Sequence, residues 1–225
     1  MGGSRIAIPV SALILATGLS LGCASAPDLP APSPVAAMCI DFEDFQEGQL
    51  PAGWLMDAPA SDGEVGLHIA PARGVDGGRG VQLRTSKQHG GALWLQGVRC
   101  RDAVVEVRVR AIEPASRLGI VFDLDAVDAM SIRPRRRCHV AWLPGEASVA
   151  MVTTGDDYSR EVLRLPVDGE AREWHRLEIE RIGSDLEIRF DGRSIRAPLV
   201  LGDAEAVGVG IEVRGAGVFD AFCIR

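Results

Sequence analysis

The chain has 225 residues, with 24 Lys and Arg against 31 Asp and Glu, so its formal net charge at neutral pH is −7. Such an acidic surface argues against non-specific nucleic-acid binding, which depends on basic side chains that contact phosphates. Aromatic residues make up only 5% of the chain, which argues against a rich cleft of stacked rings.

Residues 1–22 have the outline of a secretory signal peptide. Arg5 precedes an almost uninterrupted apolar run that ends at Leu21, shorter than the roughly 20 apolar residues of a comfortable membrane span. The run closes on the letters LSLGC, which resemble a bacterial lipoprotein signal, so we expect Cys23 to be lipidated. The alternative is ordinary cleavage after Ala24 or Ala26, with Cys23 discarded.

Residues 23–38 are predicted to be an extended, semi-rigid tether. They contain four prolines and little that would form a core. No second apolar stretch approaches spanning length. We therefore expect an exported protein that is anchored in the cell envelope by its N-terminal lipid alone and faces the periplasm or the cell surface.

Residues 39–225 are predicted to form one all-β domain, because apolar residues alternate with polar ones over many short segments and no segment has helical spacing. Val105, Val107 and Val109 alternate with charged residues, and so do Leu177 and Ile179. Further strands are expected near residues 39–43, 64–69, 80–84, 91–96, 117–124, 137–143, 147–153, 160–165, 186–190, 205–213 and 217–224.

An Asp-Gly pair at residues 191–192 separates the alternating segments 186–190 and 195–197. This pair is a strong hairpin signal, because both residues tolerate the positive φ angles of a tight turn. Many short strands with Gly, Pro and Asp between them predict an antiparallel sandwich of two sheets.

Four cysteines lie in the predicted domain, residues 39–225, in a compartment where disulfides persist. The predicted first and last strands, which are often neighbours in sandwiches, hold Cys39 and Cys223. We favour that bridge, with Cys100 to Cys138 as the second. Spacing alone leaves the other pairings open, together with the alternative of four buried, unpaired thiols.

Four stretches of the chain resemble the concanavalin A-like sandwich, with bacterial laminin-G-like and 3-keto-disaccharide-hydrolase-like domains as the nearest branch. The stretches are residues 41–54, 118–132, 173–195 and 207–225. The resemblance implies a jelly roll of two curved sheets, whose concave face or rim loops commonly hold saccharide. It says little about activity, since one fold hosts lectins, glycosidases, lyases and adhesion modules.

The candidates for catalysis are Asp123, Asp125 and Asp128, because glycosidases need paired carboxylates and strand residues two apart face the same way. The laminarinase-like branch of the superfamily has glutamates at both ends of such a spacing, where this chain has aspartates. The resemblance places residues 125–128 in a hairpin turn, so we favour a solvated turn over a catalytic role.

The candidates for stacking on a sugar ring are Trp94, Trp142 and Tyr158. Trp54 and Trp174 are expected in the core, since the family pattern has tryptophans there. The four histidines are scattered without the spacing of a zinc site.

The segment RPRRR at residues 133–137 is the one dense basic cluster. Its Arg133 and Arg135 are candidates for contact with a lipid phosphate, a polyanionic saccharide or an acidic partner. The alternative, a solvated hairpin tip, is the one we favour.

A structural calcium ion is the one cofactor that the resemblance suggests. Sandwiches of this kind often tie their first and last strands together through carboxylate and carbonyl oxygens, which calcium prefers. Asp41, Glu43 and Asp220 are the candidate ligands, with surface charges or turn caps as the alternative.

Three functional hypotheses follow. We favour a non-catalytic envelope lipoprotein whose sandwich binds saccharide or another envelope component. The second hypothesis is a glycoside-processing enzyme of the keto-disaccharide-hydrolase-like type, whose aspartates would converge in a cleft with a raised pKa. The third is a structural or assembly lipoprotein that binds protein partners through an exposed apolar patch.

Overall fold

The computed structural model describes residues 37–50, 52–57, 66–85, 90–124, 136–155, 157–198 and 207–225. Within these ranges the chain forms fifteen β-strands and two short 3-10 turns, Val75–Gly77 and Pro144–Glu146. The strands are β1 Met38–Ile40, β2 Trp54–Asp57, β3 His68–Arg73, β4 Arg79–Arg84, β5 Gly91–Cys100, β6 Ala103–Ala111, β7 Arg117–Asp123, β8 Arg137–Leu143, β9 Ser148–Thr154, β10 Ser159–Pro166, β11 His175–Ile182, β12 Asp185–Phe190, β13 Arg193–Pro198, β14 Val207–Arg214 and β15 Ala216–Ile224.

The strands form two antiparallel sheets. The eight-stranded sheet has the order β13-β12-β11-β6-β15-β4-β3, with β1 paired to β15. The seven-stranded sheet has the order β10-β9-β8-β7-β14-β5-β2. Because consecutive strands such as β6 and β7, or β14 and β15, lie in different sheets, the chain crosses repeatedly between the layers. The predicted all-β, two-sheet jelly-roll sandwich is confirmed.

The core lies between the sheets and follows the alternation of the sequence. In β6, Val105, Val107 and Val109 are buried, while the residues between them are partly exposed. On the outer face of the eight-stranded sheet, arginines and glutamates pair across strands, as Arg189 does with Glu178 at 2.6 Å. Each exposed pair contributes little to stability, but the network leaves few charges uncompensated on that face.

The hairpin predicted at Asp191 and Gly192 is present between β12 and β13. The two residues have φ angles of 46° and 85°, as a two-residue turn with positive φ requires.

Two edge strands differ from the prediction. β2 was not predicted, and β3 begins at His68, four residues after the expected start. Both strands lie at the end of a sheet, where only one side is hydrogen-bonded and the alternation of side chains is weak. Pro71 within β3 fits this position, since an edge strand tolerates a residue without an N–H group.

The cysteines confirm one predicted bridge and contradict the other. Cys39 and Cys223 lie directly opposite each other on β1 and β15 and form a disulfide. Cys100 and Cys138 are unpaired and buried, so the second predicted bridge is wrong. Both lie in strands of the seven-stranded sheet that are separated by β7 and β14, and their side chains are packed into the core.

Burial raises the pKa of the Cys100 thiol to about 11 and that of Cys138 to about 12. Both thiols are therefore protonated at neutral pH and behave as small apolar side chains.

The predictions about residues 1–36 lie outside the described residues, so the signal peptide, most of the tether and the lipidation of Cys23 stay predictions. In the part of the chain that the structure describes, no helix is long and apolar enough to cross a membrane. The disulfide indicates an extracytosolic compartment, since such bonds persist where the environment is oxidising.

Candidate functional site

A groove crosses the outer face of the seven-stranded sheet. It consists of two adjoining cavities of about 350 and 370 Å³, which share Arg117, Val152 and Arg214 as lining residues. We call these two cavities together the groove. The first cavity also includes the polar side chains of Asp57, Arg137, His139, Thr154, Ser159 and Glu212, and the second those of Ser116, Glu146, Glu161 and Arg164.

Glu212 reaches the groove because of the alternation in β14. The flanking Ile211 and Val213 are buried in the core, so the side chain between them points to the opposite face of the sheet. Gly119 and Ala92 are the partners of Glu212 on the two neighbouring strands. Ala92 lines the first cavity beside Glu212, whereas a side chain at Gly119 would meet the Val140 carbonyl oxygen and Ala141 of the neighbouring strand.

The carboxylate of Glu212 pairs with His139. The Nδ1 atom of His139 lies 2.5 Å from Oε2 of Glu212, and its Nε2 atom lies 3.1 Å from the Thr154 hydroxyl. Since an ionised carboxylate only accepts hydrogen bonds, Nδ1 is the donor. The imidazole is therefore held at both nitrogens, which fixes the orientation of its ring.

Glu212 is ionised in this setting. Burial works to raise its pKa, but the His139 charge and hydrogen bond, with Arg117 and Arg137 nearby, outweigh burial and lower the pKa below its usual range. Its side chain is only 13% exposed, and the Arg117 Nε atom lies 3.7 Å from Oε1. A buried, compensated charge of this kind suits a group that accepts a hydrogen bond from a ligand.

Arg137 links the groove to an aromatic ring. Its guanidinium pairs with Asp57 on the edge strand β2 and lies 5.3 Å from the centre of the Trp94 ring. Trp94 stands on the groove side of β5, between the buried Leu93 and Leu95. The stacked cation thus covers part of the tryptophan surface.

Several buried polar atoms of this region lack a hydrogen-bond partner within the protein. Among the described residues there are seven such side-chain atoms. Four of the seven belong to residues in or beside the groove, namely Trp94 Nε1, Arg117 Nε, Arg137 Nε and Glu212 Oε1. Because an unsatisfied buried polar atom costs about 1–3 kcal/mol, such a concentration indicates a place where solvent or a ligand completes the bonding.

Of the three predicted catalytic residues, the structure describes Asp123, which lies at one end of this face. Asp123 is the last residue of β7, opposite Arg137, and is 9% exposed. Asp125 and Asp128 lie outside the described residues, as do Arg133 and Arg135 of the basic cluster. Their proposed roles therefore stay predictions.

The three predicted sugar-stacking aromatics have different positions. Trp142 is fully buried and packs against His175 and Phe190, so the expectation that it contacts a ligand is wrong. Its side chain points into the core because the small Ala141 takes the groove side of β8. Trp94 is partly exposed on the groove face, and Tyr158 is 50% exposed beside Ser159 of the groove.

The two tryptophans expected in the core also differ. Trp54 is buried, 5.4 Å from the Phe222 ring, as predicted. Trp174 is only partly buried, and the Arg110 guanidinium lies 4.8 Å from the centre of its ring.

The candidate calcium ligands gather around the turn before β4. Asp220 accepts the Val75 N–H at 2.7 Å, and Glu43 accepts the Arg79 N–H at 2.9 Å. Burial raises the pKa of Asp220, and the negative charges of Glu43 and Asp41 add to the shift. Within the described ranges, no group of three or more His, Cys, Asp or Glu has an arrangement that would hold a metal ion. The oxygens of Asp220 and Glu43 instead fasten backbone amides of the turn.

Apart from Arg137, the last residue of the basic cluster, the charged residues that line the groove were not singled out from the sequence. Glu212 is flanked by the strongly apolar Ile211 and Val213, and a charge between apolar residues of a strand at the middle of a sheet is the signal that would have found it. Arg117 and Asp57 are ordinary charged residues at strand ends. They reach the groove only through strand pairing that is distant in sequence.

Comparison with known proteins gives similarity of structure only. No protein-family model matches the chain, and no curated protein sequence matches it. Solved structures do match. The carbohydrate-binding module CBM66 from Bacillus subtilis is similar with a TM-score of 0.57 and 14% identity, over 76% of this chain and 93% of that one.

Two glucanases of glycoside hydrolase family 16 are similar to the same degree. The endo-glucanase from Bacteroides ovatus has a TM-score of 0.58 and 8% identity, covering 84% of this chain and 98% of that one. The endo-beta-1,3(4)-glucanase SCLam has a TM-score of 0.55 and 13% identity, covering 86% and 91%. At these identities the similarity concerns the fold, which is the concanavalin A-like sandwich that the sequence resemblance implied.

Proposed function

We propose that this protein is a non-catalytic saccharide-binding module of the cell envelope, and that the groove is its binding site. The observation that carries the proposal is the cluster of four buried polar atoms without a hydrogen bond in or beside the groove. Saccharides offer closely spaced hydroxyl groups that both donate and accept hydrogen bonds, which is what such a cluster needs. Similar sandwiches include a carbohydrate-binding module and glucanases, which supports a saccharide ligand.

Binding fits the described carboxylates of the groove better than hydrolysis does. A glycosidase needs one carboxylic acid with a raised pKa beside a second, ionised carboxylate. The pKa of Glu212 is lowered, and Asp57 is paired with Arg137. Glu146 and Glu161 of the second cavity pair with Arg164. All four described carboxylates that line the groove are thus held in ion pairs as acceptors. The enzyme hypothesis now depends on Asp123 together with residues outside the described ranges.

The proposal is tested by blocking the groove. Val152 is partly exposed and lines both cavities, so Val152→Trp fills their junction. Val104→Trp is the matched control, because Val104 is a partly exposed strand valine on the eight-stranded sheet. On a glycan array we expect the wild type and Val104→Trp to bind the same saccharides and Val152→Trp to lose that binding.

The bound saccharide should also be recovered intact after prolonged incubation with the wild-type protein. Release of shorter products would contradict a non-catalytic module and support the enzyme hypothesis. No array signal for the wild type, or equal signals for both tryptophan variants, would contradict the groove as the saccharide site.

The lipid anchor at Cys23 is part of the proposal. It would hold the sandwich on an envelope membrane, with the prolines of residues 23–38 as a spacer. Metabolic labelling with a fatty acid should mark the wild type and leave Cys23→Ser unlabelled. Labelling of both proteins, or of neither, would contradict lipidation at this residue.

Calcium binding by Asp41, Glu43 and Asp220 stays a prediction. A divalent cation would offset the repulsion that contributes to the raised pKa of Asp220. Millimolar calcium should then raise the unfolding temperature, and Asp220→Asn should abolish the increase. An unfolding temperature that is the same in calcium and in chelator would remove calcium from consideration.

A further inference from the structure

We infer that the groove selects an anionic saccharide, carrying carboxylate or sulfate groups, through Arg117 and Arg214. This inference rests on the proposed function and adds the chemical class of the ligand. It follows from the charges along the groove. Some of its arginines pair with carboxylates, whereas the two at the junction of the cavities are not fully compensated.

The two arginines lie side by side at the junction of the cavities. Arg117 on β7 and Arg214 on β14 are directly opposite each other in the antiparallel pairing, and both line both cavities. Like charges at directly opposed positions are destabilising unless a counter-charge lies between them. The junction is therefore a place where an anion would stabilise the protein.

The other arginines of the groove already have carboxylate partners. Arg137 pairs with Asp57, and Arg164 pairs with Glu146 and Glu161. Their positive charge is largely compensated before any ligand arrives. They do not account for the excess of cation at the junction.

The two arginines at the junction have donors to spare. Among the described residues, the side chain of Arg214 has no ion-pair or hydrogen-bond partner. The Nε atom of Arg117 is buried without a hydrogen bond, and its carboxylate neighbours already have other partners. Glu212 lies 3.7 Å away and binds His139, and Glu161 pairs with Arg164. Two guanidinium groups with free donors match the paired oxygens of a carboxylate or sulfate.

Glu212 and Trp94 supply what a purely anion-binding site would lack. Oε1 of Glu212 is a buried acceptor without a hydrogen bond, so it can receive a sugar hydroxyl, and Nε1 of Trp94 is a buried donor in the same condition. The groove thus offers cations at its junction and mixed hydrogen-bonding groups beside them. A sugar that bears an acidic group satisfies both sets of atoms.

The negative net charge of the chain limits where an anionic glycan can bind. With a formal charge of −7, most of the surface repels a polyanion, so an anionic glycan is attracted only where cations exceed anions. The attraction should weaken as salt is added, since exposed charges are screened.

The test is calorimetric titration of the full-length protein with three oligosaccharides of equal length: an oligouronate, a sulfated oligosaccharide and a neutral glucan. We expect one or both anionic oligosaccharides to bind more tightly than the glucan. Arg214→Gln should weaken the anionic interaction by roughly 10- to 100-fold, the range for the loss of a charge-assisted hydrogen bond. Because the side chain of Arg214 has no partner among the described residues, this variant should fold normally.

Arg196→Gln is the matched control. Arg196 lies on β13 of the eight-stranded sheet, its side chain is 78% exposed, and it pairs with Glu187. Its removal changes the net charge by the same amount as Arg214→Gln, but on the other side of the molecule. It should leave the affinity for anionic oligosaccharides unchanged.

The outcomes separate this inference from the proposed function. Equal affinity for the neutral and anionic oligosaccharides, or unchanged binding by Arg214→Gln, would overturn the inference and leave the saccharide module standing. Equally tight binding of polyglutamate would also overturn it, because the groove would then respond to charge alone. Absence of binding to every oligosaccharide would overturn both proposals.

Discussion

Glu212 supplies a charged hydrogen-bond acceptor on the groove face of the seven-stranded sheet. Its neighbours along β14 pack into the core, and its own side chain enters the groove with only 13% exposed. A charge in such a place is retained at a cost in desolvation, which His139 and Arg117 offset. The same desolvation strengthens any hydrogen bond that Glu212 makes to a ligand.

The first prediction concerns acid stability. Because the folded pKa of Glu212 is lowered, its contribution is fully present above the unfolded pKa, about 4.3, and is lost as the pH falls through the folded pKa. Glu212→Gln should cost about 3–5 kcal/mol near pH 5, since it removes the buried carboxylate that pairs with His139 and Arg117. That difference from the wild type should shrink as the pH is lowered to about 2.

Urea unfolding at each pH measures this difference. Glu47→Gln is the control, because Glu47 is exposed in a turn and should leave the curve unchanged. A difference between Glu212→Gln and the wild type that grows toward low pH would show that the sign is wrong.

At the scale of elements, Ser116 joins two connections that cross between the sheets. It lies between β6 and β7, and Ala216 lies where β14 passes into β15. The Ser116 hydroxyl donates to the Ala216 carbonyl at 2.8 Å and accepts the Ala216 N–H at 3.1 Å. One side chain thus satisfies two backbone groups that are 100 residues away in sequence.

The second prediction follows from that pair of bonds. Ser116→Ala leaves the buried Ala216 N–H without the hydroxyl that accepts it, which should cost about 1–3 kcal/mol of unfolding free energy. The Ala216 carbonyl keeps the Ile112 N–H at 3.0 Å. Chemical denaturation measures the loss, and Ser194→Ala, at an exposed position of β13, should change stability little. If the two variants were equally stable, the Ser116 bonds would not hold these connections together.

At the scale of the whole molecule, a disulfide joins the first and last strands of the domain. The Cys39–Cys223 disulfide spans 184 residues of sequence, and its two cysteines face each other across β1 and β15. A link over so long a loop restricts the unfolded chain strongly, which is the main source of its stabilisation in the chain-entropy description. The link also holds the start of the domain, and therefore the end of the tether, against β15.

The third prediction concerns the Cys39–Cys223 disulfide. The double variant Cys39→Ser, Cys223→Ser should lose about 2–5 kcal/mol of unfolding free energy relative to the oxidised wild type. Reductant should destabilise the wild type to a similar extent and leave the double variant unchanged. A reductant effect that persists in the double variant would indicate another bridge, against the unpaired state of Cys100 and Cys138.

Most of the fold could be predicted from the sequence, because patterns among neighbouring residues indicate the strands. Alternation of buried and exposed residues gave β6 and β11, and the Asp191 and Gly192 pair gave the hairpin after β12. The edge strands β2 and β3 were missed or displaced, since an edge has a weaker pattern and admits Pro71. Pairing of the first strand with the last was recovered because strand order in sandwiches makes it common.

The site was decided by the tertiary structure. Alternation places Trp94 and Trp142 on strands but does not say which face each strand turns to the core, so Trp142 is buried and Trp94 lies at the groove. Likewise, nothing local in the sequence joins Glu212 to His139 or sets Arg117 beside Arg214. By itself the sequence determined the class of fold, because the period of a strand is a property of neighbouring residues. Only the pairing of distant strands brought the groove together, because a binding site depends on which residues become neighbours in space.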